Sequence, residues 1–254
     1  MKFTRAIVRT PCERLSEGLS SAALGRADYD LAMVQHQKYI EALQYCGLDV
    51  RVLAPDREYP DSTFVEDTAL LIPNAAIITR PGASSRRGET ESMHEVLKNY
   101  FDNIHQIDAP GTLEAGDVMM TGSHFYIGIS DRTNAEGATQ LISILEKYGM
   151  TGSAVEINGM LHLKSGVSYL ENNTLLVVSM LETHFAFSGM DIIPVPLQES
   201  YAANSLWVNG HVLVPEGFPV TLRNIISAGY DPIVLNMSEF RKLDGGLSCL
   251  SLRF

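Results

Sequence analysis

The sequence predicts an α/β fold in which similar units surround a common axis, as in a small propeller. Four hairpin-like segments recur along the chain, each with two runs of strand-forming residues around a tight turn. They repeat at intervals of roughly 40 to 50 residues, and a helix or a single strand separates them. The predicted turn centres are Asn74, Ser123, Asn173 and Gly210.

Helices are predicted between these hairpins from the spacing of apolar residues. In the first, Leu31, Val34, Ile40 and Leu43 are expected near one stripe. Asn134 is suited to the N-cap position of the third. The predicted segments are 29–46, 91–101, 134–149 and 220–228.

Both ends of the chain also have the composition of strands, and their pairing would close the ring. The two segments are 3–10 and 247–254, and Cys249 lies in the second. The simplest interpretation of Cys249 is a small apolar side chain in this closing strand, because unpaired cysteines are often buried in that way.

Length and composition are those of a soluble globular protein, and we expect residues 1–254 to form one domain. Three cysteines without a C-x-x-C pair, and an N-terminal segment unlike a secretory signal, favour a reducing cytoplasm. The net charge of −11 and the lack of a basic run argue against nucleic acid as a partner. The apolar run near 174–181 is too short to span a bilayer, so no membrane segment is predicted.

Acidic side chains cluster around an aromatic residue in the segment P-D-S-T-F-V-E-D. Asp61, Glu66 and Asp67 surround Phe64 just before a predicted buried strand. Carboxylates can accept the forked N–H groups of a guanidinium, and an aromatic ring can stack on its planar face. The segment therefore fits a planar cation, although a solvated turn after Pro60 explains the same composition.

Other candidate residues lie at similar places in successive repeats. Glu114 stands between two glycines where the chain starts a hairpin, and His162 precedes the next hairpin. Taken singly, such a glutamate is more often a surface group and such a histidine a core residue. Arg86 and Arg132 each follow a hairpin, and two arginines in equivalent places could converge on one carboxylate.

The repeat places four reactive groups in comparable positions. Asp67, Glu114, His162 and Cys249 each lie near the start of a hairpin, so a ring of repeats would direct them to the same axis. A thiol, a base and a group that orients the base are the parts needed for covalent catalysis.

The segments F-V-E-D, G-T-L-E-A-G-D, L-H-L-K-S, R-T-N-A-E-G, S-Y-A-A-N and D-G-G-L-S-C-L-S-L-R-F closely resemble the dimethylarginine dimethylaminohydrolase family. The resemblance runs along essentially the whole chain and is strongest with the short bacterial form. It implies a five-bladed α/β propeller of ββαβ repeats, the pentein fold of guanidine-modifying enzymes. The implied reaction converts asymmetric dimethylarginine or monomethylarginine to citrulline, with release of dimethylamine or methylamine.

The resemblance also implies residue roles. Cys249 is the nucleophile that forms a covalent thiouronium intermediate, His162 is the general acid and base, and Glu114 is the partner of His162. The remaining residues contact the substrate and are Asp61, Phe64, Glu66 and Asp67 at the guanidinium, Arg86 and Arg132 at the α-carboxylate, the Leu243 carbonyl at the amino group, and Leu19 in a lid.

The implied partner is a small molecule, and the chemistry needs no metal or other cofactor. A thiol beside a histidine could still bind zinc as an inhibitor. The sequence does not decide the oligomeric state, and a homodimer is compatible with it.

Two other functions remain open. The chain has F-V-E-D and L-H-L-K where the related arginine deiminases typically carry F-x-R-D and H-E-x-x-R, and it has no room for their inserted helical domain. These departures disfavour an arginine or agmatine deiminase. A non-catalytic binding module, as in the ribosome anti-association factor of the same fold, is disfavoured because Cys249, His162 and Glu114 occur together.

Overall fold

A computed structural model describes residues 2–182 and 184–254. Its helices are α1 (Tyr29–Tyr45), α2 (Glu89–Leu97), α3 (Ala135–Glu146), α4 (Pro219–Ser227) and α5 (Ser238–Arg241). Its strands are β1 (Arg5–Arg9), β2 (Asp49–Leu53), β3 (Ala69–Ile72), β4 (Ala75–Ile78), β5 (Ile104–Gln106), β6 (Val118–Thr121), β7 (His124–Ile129), β8 (Thr151–Glu156), β9 (Val167–Tyr169), β10 (Thr174–Val178), β11 (Asp191–Val195), β12 (Leu206–Val208), β13 (His211–Pro215), β14 (Asp231–Leu235) and β15 (Leu252–Arg253).

The strands in this part of the chain form five three-stranded sheets, which confirms the predicted propeller of repeated units. The sheet orders are β15-β1-β2, β3-β4-β5, β6-β7-β8, β9-β10-β11 and β12-β13-β14. In each sheet the first two strands are antiparallel and the third is parallel to the second. A parallel pair needs a crossover connection, and α1, α2, α3 and α4 supply it in four of the sheets.

The fourth sheet along the chain departs from the ββαβ pattern. Between β10 and β11 the described residues form two short 3-10 turns, Ser179–Leu181 and Phe185–Phe187, in place of an α-helix. The four predicted hairpin turns are all present. Asn74, Asn173 and Gly210 have φ values of 69°, 61° and 99°, the left-handed conformation that asparagine and glycine tolerate best.

The two ends of the chain close the ring, as predicted. β15 pairs with β1 in antiparallel register, with Ala6 opposite Arg253 and Ile7 opposite Leu252. The closing strand is shorter than predicted, because the backbone before it turns. Cys249 therefore lies in the 3-10 turn Ser248–Leu250 and not in the strand itself.

A 3-10 turn precedes the first strand of every sheet, and these turns gather around the axis. Contacts join successive turns from Ser248–Leu250 through Val65–Thr68, Ala115–Asp117 and Leu163–Ser165 to Leu197–Ala203. The ends of these turns carry the residues that the sequence singled out for chemistry.

The buried face of α1 differs from the predicted stripe. Ile40 and Leu43 are buried as expected, whereas Leu31 and Val34 are 42% and 58% exposed. With about 100° of rotation per residue, Leu31 lies on the opposite side of the helix from Ile40, so the four residues cannot share one face. None of the helices in the described residues is long and apolar enough to cross a membrane.

One buried residue of α1 makes the stability of the fold sensitive to acid. His36 is 2% exposed, and its Nε2 has no hydrogen-bond partner. Burial lowers the pKa of His36 to about 4, although a hydrogen bond with the backbone of Arg9 opposes this shift. In the unfolded chain a histidine has an ordinary pKa near 6.5, so the unfolded state binds a proton first as the pH falls.

We therefore expect the free energy of unfolding to decrease as the pH falls from about 6.5 towards 4, by on the order of 3 kcal/mol from this group. His36→Gln should remove this part of the pH dependence, as measured by urea unfolding at a series of pH values. The control is His94→Gln on α2, since this side chain is only half-buried. An unchanged acid limb in His36→Gln would contradict the assignment.

Candidate active site

The candidate residues meet in a cavity where the 3-10 turns converge. Its volume is about 190 Å³. Glu66 lies outside it and lines an adjoining cavity that also contains His162 and Cys249. The candidate residues in the larger cavity are Leu19, Asp61, Phe64, Asp67, Arg86, Glu114, Arg132, His162, Leu243 and Cys249.

Glu114 and His162 form a buried hydrogen-bonded pair. His162 Nε2 lies 2.7 Å from Glu114 Oε2, and the two residues are 7% and 1% exposed. The other carboxylate oxygen of Glu114 accepts the N–H of Ala83 at 3.1 Å, which fixes the plane of the carboxylate. Each residue ends the extended segment before a 3-10 turn, so the fold brings two turns of successive sheets together.

The charge state of His162 follows from its carboxylate neighbours. Burial by itself lowers the pKa of His162, but the charge of Asp67 and the hydrogen bond and charge of Glu114 raise it to about 9. The imidazole is therefore protonated at neutral pH and can donate a proton.

Cys249 is half-buried in the turn beside these groups. Its Sγ accepts the N–H of Gly246 at 3.3 Å. Burial raises the pKa of the Cys249 thiol to about 12, and the charges of Glu66 and Asp67 act in the same direction. Without a cation in the cavity, the thiol is therefore neutral over the physiological pH range.

Asp67 is held by donors on two sides. Its Oδ2 accepts Arg86 Nη1 at 2.6 Å, and its Oδ1 accepts the N–H of Gly116 at 2.9 Å. Burial alone would raise the pKa of Asp67, but His162 and Arg86 lower it below its ordinary value. This carboxylate therefore stays ionised beside the imidazole.

The guanidinium of Arg86 is hydrogen-bonded to other groups of the protein. Its guanidinium forms a two-pronged pair with Glu89 at 3.0 and 2.8 Å, and Nη2 also donates to the Phe64 carbonyl at 2.9 Å. Arg132 is freer, since its side chain is 22% exposed and its Nη1 lies 3.7 Å from Glu114 Oε1. The predicted contact of either arginine with a ligand carboxylate stays a prediction.

The segment that carries Leu19 covers the cavity. The N–H of Leu19 donates to Asp61, at 3.0 and 3.2 Å from its two carboxylate oxygens. This close approach requires the preceding glycine, because a Cβ on Gly18 would lie 2.5 Å from Asp61 Oδ1. Ser20 Oγ donates to the Lys242 carbonyl at 2.6 Å, which joins the segment to the chain beside Leu243.

Phe64 and Leu243 shape the apolar part of the cavity. Phe64 packs edge-on against Phe240, with 6.2 Å between ring centroids, and its ring lies so close to Gly245 that a Cβ there would clash. Leu243 is 7% exposed. Its predicted carbonyl contact with a ligand amino group stays a prediction.

The sequence places Glu66 at a bound guanidinium, whereas in the structure its carboxylate accepts hydrogen bonds from other protein side chains. Its Oε1 accepts Lys164 Nζ at 2.6 Å and its Oε2 accepts Ser248 Oγ at 2.7 Å. Arg253 Nη2 lies 3.4 Å from Oε1. Protein donors therefore occupy both carboxylate oxygens, and Glu66 acts on the cavity chiefly through its charge.

The sequence does not identify several residues that support the site. Asn204 accepts the N–H of Ser248 at 3.0 Å and donates to the Lys164 carbonyl at 2.9 Å, so it joins two turns of the ring. Glu89 holds Arg86, and Asp117 is a fully buried carboxylate. Asn204 ends the S-Y-A-A-N segment and Asp117 ends G-T-L-E-A-G-D, but neither segment shows which partner its polar residue meets.

Asp67, Glu114 and His162 are the described side chains that could together hold a metal ion, since their ligand atoms lie within 4.8 Å of one another. Their lone pairs are largely committed, because Asp67 accepts Arg86 and Gly116 and the Glu114 carboxylate bonds the imidazole. The absence of a metal requirement stays a prediction.

Known proteins match the chain along its length. The family model for N,N dimethylarginine dimethylhydrolase, eukaryotic, matches residues 25–215. The N(G),N(G)-dimethylarginine dimethylaminohydrolase of Pseudomonas aeruginosa is 52% identical over 253 residues, which cover 99% of this chain and 100% of the relative.

Solved structures match equally well. A cysteine-to-serine variant of the P. aeruginosa enzyme, complexed with citrulline, superposes with a TM-score of 0.98 at 51% identity and covers 100% of both chains. A histidine-to-glycine variant of a dimethylarginine dimethylaminohydrolase, as an adduct with S-methyl-L-thiocitrulline, gives a TM-score of 0.97 at 51% identity over 99% of this chain and 100% of the other.

The raised pKa of Cys249 can be tested by alkylation. We expect iodoacetamide to modify Cys249 slowly at neutral pH, with a rate that still increases at about pH 10, because only the thiolate reacts. The measurement is site-resolved mass spectrometry across a pH series, with Cys249→Ser to identify background labelling. A rate that levels off near the ordinary thiol pKa of about 8.5 would show that the buried carboxylates do not control this residue.

Proposed function

Because the chain belongs to the dimethylarginine dimethylaminohydrolase family, we propose that it hydrolyses asymmetric dimethylarginine and monomethylarginine to citrulline, releasing dimethylamine or methylamine. The observation that carries the proposal is the buried Glu114–His162 pair at 2.7 Å, which shares an acid-walled cavity with Cys249. A base, its partner and a thiol are placed for covalent chemistry on a cation.

The substrate guanidinium binds among the carboxylates of the cavity. Asp61 and Asp67 supply negative charge at the wall, and Phe64 supplies an apolar surface beside it. Glu66 adds its charge from the adjoining cavity, although protein donors occupy its oxygens. A neutral or anionic group gains no attraction from these carboxylates, so this part of the cavity selects a cation.

The other end of the substrate needs a partner for its α-carboxylate. Arg132 is the better placed arginine, because its side chain is partly exposed. Arg86 contributes positive charge at the cavity wall while its N–H groups remain on Asp67, Glu89 and the Phe64 carbonyl. In the proposal, Leu19 covers the bound substrate and the Leu243 carbonyl receives its amino group.

Binding of the cation activates the nucleophile. Burial raises the pKa of the free thiol, the charges of Glu66 and Asp67 add to this shift, and a bound guanidinium offsets the part that comes from those charges. Cys249 then loses its proton to solvent water more readily, and its thiolate sulfur attacks the guanidinium carbon. The C–S bond forms as a C–N π pair moves to nitrogen, which gives a tetrahedral adduct.

His162 supports both halves of the reaction. With a pKa near 9 it is protonated at neutral pH, and it donates its proton to the nitrogen of the leaving dimethylamine as the C–N bond breaks. The neutral imidazole then takes a proton from a water molecule that attacks the thiouronium carbon. As the C–S bond breaks, its electron pair leaves on sulfur and the hydroxyl on carbon gives up its proton to become the carbonyl of citrulline; sulfur takes up a proton, which restores the thiol. These steps use no metal or other cofactor.

Glu114 keeps the imidazole oriented through both steps, as the carboxylate does in other catalytic triads. Two further expectations stay predictions alongside the residue roles. They are a cytoplasmic location, which unpaired cysteines favour, and assembly as a homodimer.

The proposal is tested by incubating the purified protein with asymmetric dimethylarginine and measuring citrulline and dimethylamine. We expect equal amounts of both products, and a loss of turnover of at least about 1,000-fold in Cys249→Ser because the covalent route is removed. Cys46→Ser is the matched control, because Cys46 packs in the hydrophobic core. This variant should retain turnover.

The outcomes separate the alternatives. Ammonia released from arginine in place of dimethylamine would indicate a deiminase. Folded wild-type protein that turns over neither substrate but binds methylated arginine would indicate a binding module. Full activity in Cys249→Ser would remove the cysteine from the mechanism.

A further inference from the structure

Asp117 is a buried carboxylate that none of the steps above uses. It ends the 3-10 turn that follows Glu114 and is 0% exposed. Its Oδ1 accepts the N–H of Leu163 at 2.9 Å, and Leu163 is the residue directly after His162. One oxygen of Asp117 therefore fixes the backbone that carries the imidazole.

The other oxygen holds the turn that carries Arg132. Asp117 Oδ2 accepts Ser130 Oγ at 2.7 Å. Ser130 Oγ in turn accepts the N–H of Arg132 at 3.0 Å and that of Thr133 at 3.2 Å. Because the serine hydroxyl gives its only hydrogen to Asp117, it is left as an acceptor for both backbone donors.

Thr133 links the same carboxylate to Glu114. Its hydroxyl accepts the N–H of Glu114 at 3.1 Å, and its own N–H donates to Ser130 Oγ, which in turn donates to Asp117. Thr133 is fully buried. The backbone segments of Glu114, His162 and Arg132 are thus all tied to one carboxylate.

The surrounding backbone is shaped to admit this carboxylate. A Cβ on Gly128 would lie 2.9 Å from Asp117 Oδ1 and 2.9 Å from Leu163 Cβ, so only glycine leaves room here. The charge of Asp117 is also one of those that raise the pKa of His162. Burial raises the pKa of Asp117, and the charge of His162 and the hydrogen bonds from Ser130 and Leu163 oppose this shift.

We propose that Asp117 is a positioning residue that sets the distance between His162 and Arg132, and so couples recognition of the substrate's α-carboxylate to proton transfer at its guanidinium. The inference rests on the proposed function, since it assigns those two roles to His162 and Arg132. Asp117 touches no substrate. It acts through the Leu163 amide on one side and through Ser130 on the other.

The coupling predicts unequal effects on two substrates. Asp117→Asn keeps the shape of the side chain but replaces one acceptor oxygen with an NH₂ group. That group then points at a donor, either the Leu163 N–H or the Ser130 hydroxyl. Ser130 Oγ cannot accept it, because its lone pairs already accept two amides. A misplacement of the reacting groups by about 1 Å costs roughly 100-fold in rate. A substrate that contains the α-carboxylate should therefore lose more than an alkyl dimethylguanidine that lacks it.

The experiment compares kcat and KM of Asp117→Asn and Ser130→Ala for asymmetric dimethylarginine and for an alkyl dimethylguanidine without the α-carboxylate. For Asp117→Asn we expect kcat/KM to fall roughly 100-fold on the amino acid and about 10-fold or less on the alkyl compound. Ser130→Ala removes the acceptor of the Arg132 and Thr133 amides but keeps the bond from Leu163 to Asp117, so it should raise KM for the amino acid several-fold and change kcat much less. The pKa of the His162 imidazole, followed by NMR, should decrease in Asp117→Asn and not in Ser130→Ala.

The control is Asp131→Asn, which removes an exposed carboxylate from the same turn and should match the wild type. Equal losses on both substrates in Asp117→Asn, with an unchanged imidazole pKa, would overturn the inference and leave Asp117 a structural residue. If wild-type protein releases neither product, the proposed function has failed. If the wild type is active and Asp117→Asn behaves like Asp131→Asn, only the positioning role of Asp117 has failed.

Discussion

The pairing of β15 with β1 is the interaction on which the rest of the structure depends. It joins residues from the two ends of the chain, and backbone hydrogen bonds between Arg5 and Phe254 extend it to the last residue. The Phe254 ring packs against Tyr100 and Phe101, which anchors this residue to the segment between α2 and β5. Cys249 precedes this strand by only a few residues, so closing the ring also sets Cys249 beside the other turns.

Gathering five turns at one axis brings many charges out of water, and their pairing determines what the site can do. Arg86 lies between Asp67 and Glu89, and Glu66 lies between Lys164 and Ser248. These pairs give the buried charged groups the hydrogen-bond partners that they lose with water. Asp67 remains close enough to His162 and Cys249 to raise the pKa of both, so one carboxylate favours a protonated acid and a protonated thiol together.

The sequence predicts the periodic parts of this structure well and the polar contacts poorly. Hairpin turns, helices and closing strands follow from local patterns, and Asn134 accepts the N–H of Gly137 as an N-cap should. The predicted α1 stripe is wrong because a rotation of about 100° per residue places Leu31 and Ile40 on opposite sides of the helix. Which protein donor takes each oxygen of Glu66 depends on packing between turns far apart in the chain, and no local pattern encodes it. The convergence of Glu114 and His162 follows from the repeat, which places both before a hairpin, and from the family resemblance.

The same electrostatics explain how one cavity can bind a substrate and release its product. In the proposed reaction the guanidinium of the substrate is a cation, and its charge offsets the carboxylates that, together with burial, raise the pKa of the Cys249 thiol. Hydrolysis replaces it with the neutral urea group of citrulline, so the attraction to Asp61 and Asp67 is lost once the C–S bond breaks. The thiol pKa then returns to its high value, and sulfur becomes a poor nucleophile towards the product. An acidic wall that leaves the free thiol unreactive therefore confines its reactivity to the time a cation is bound.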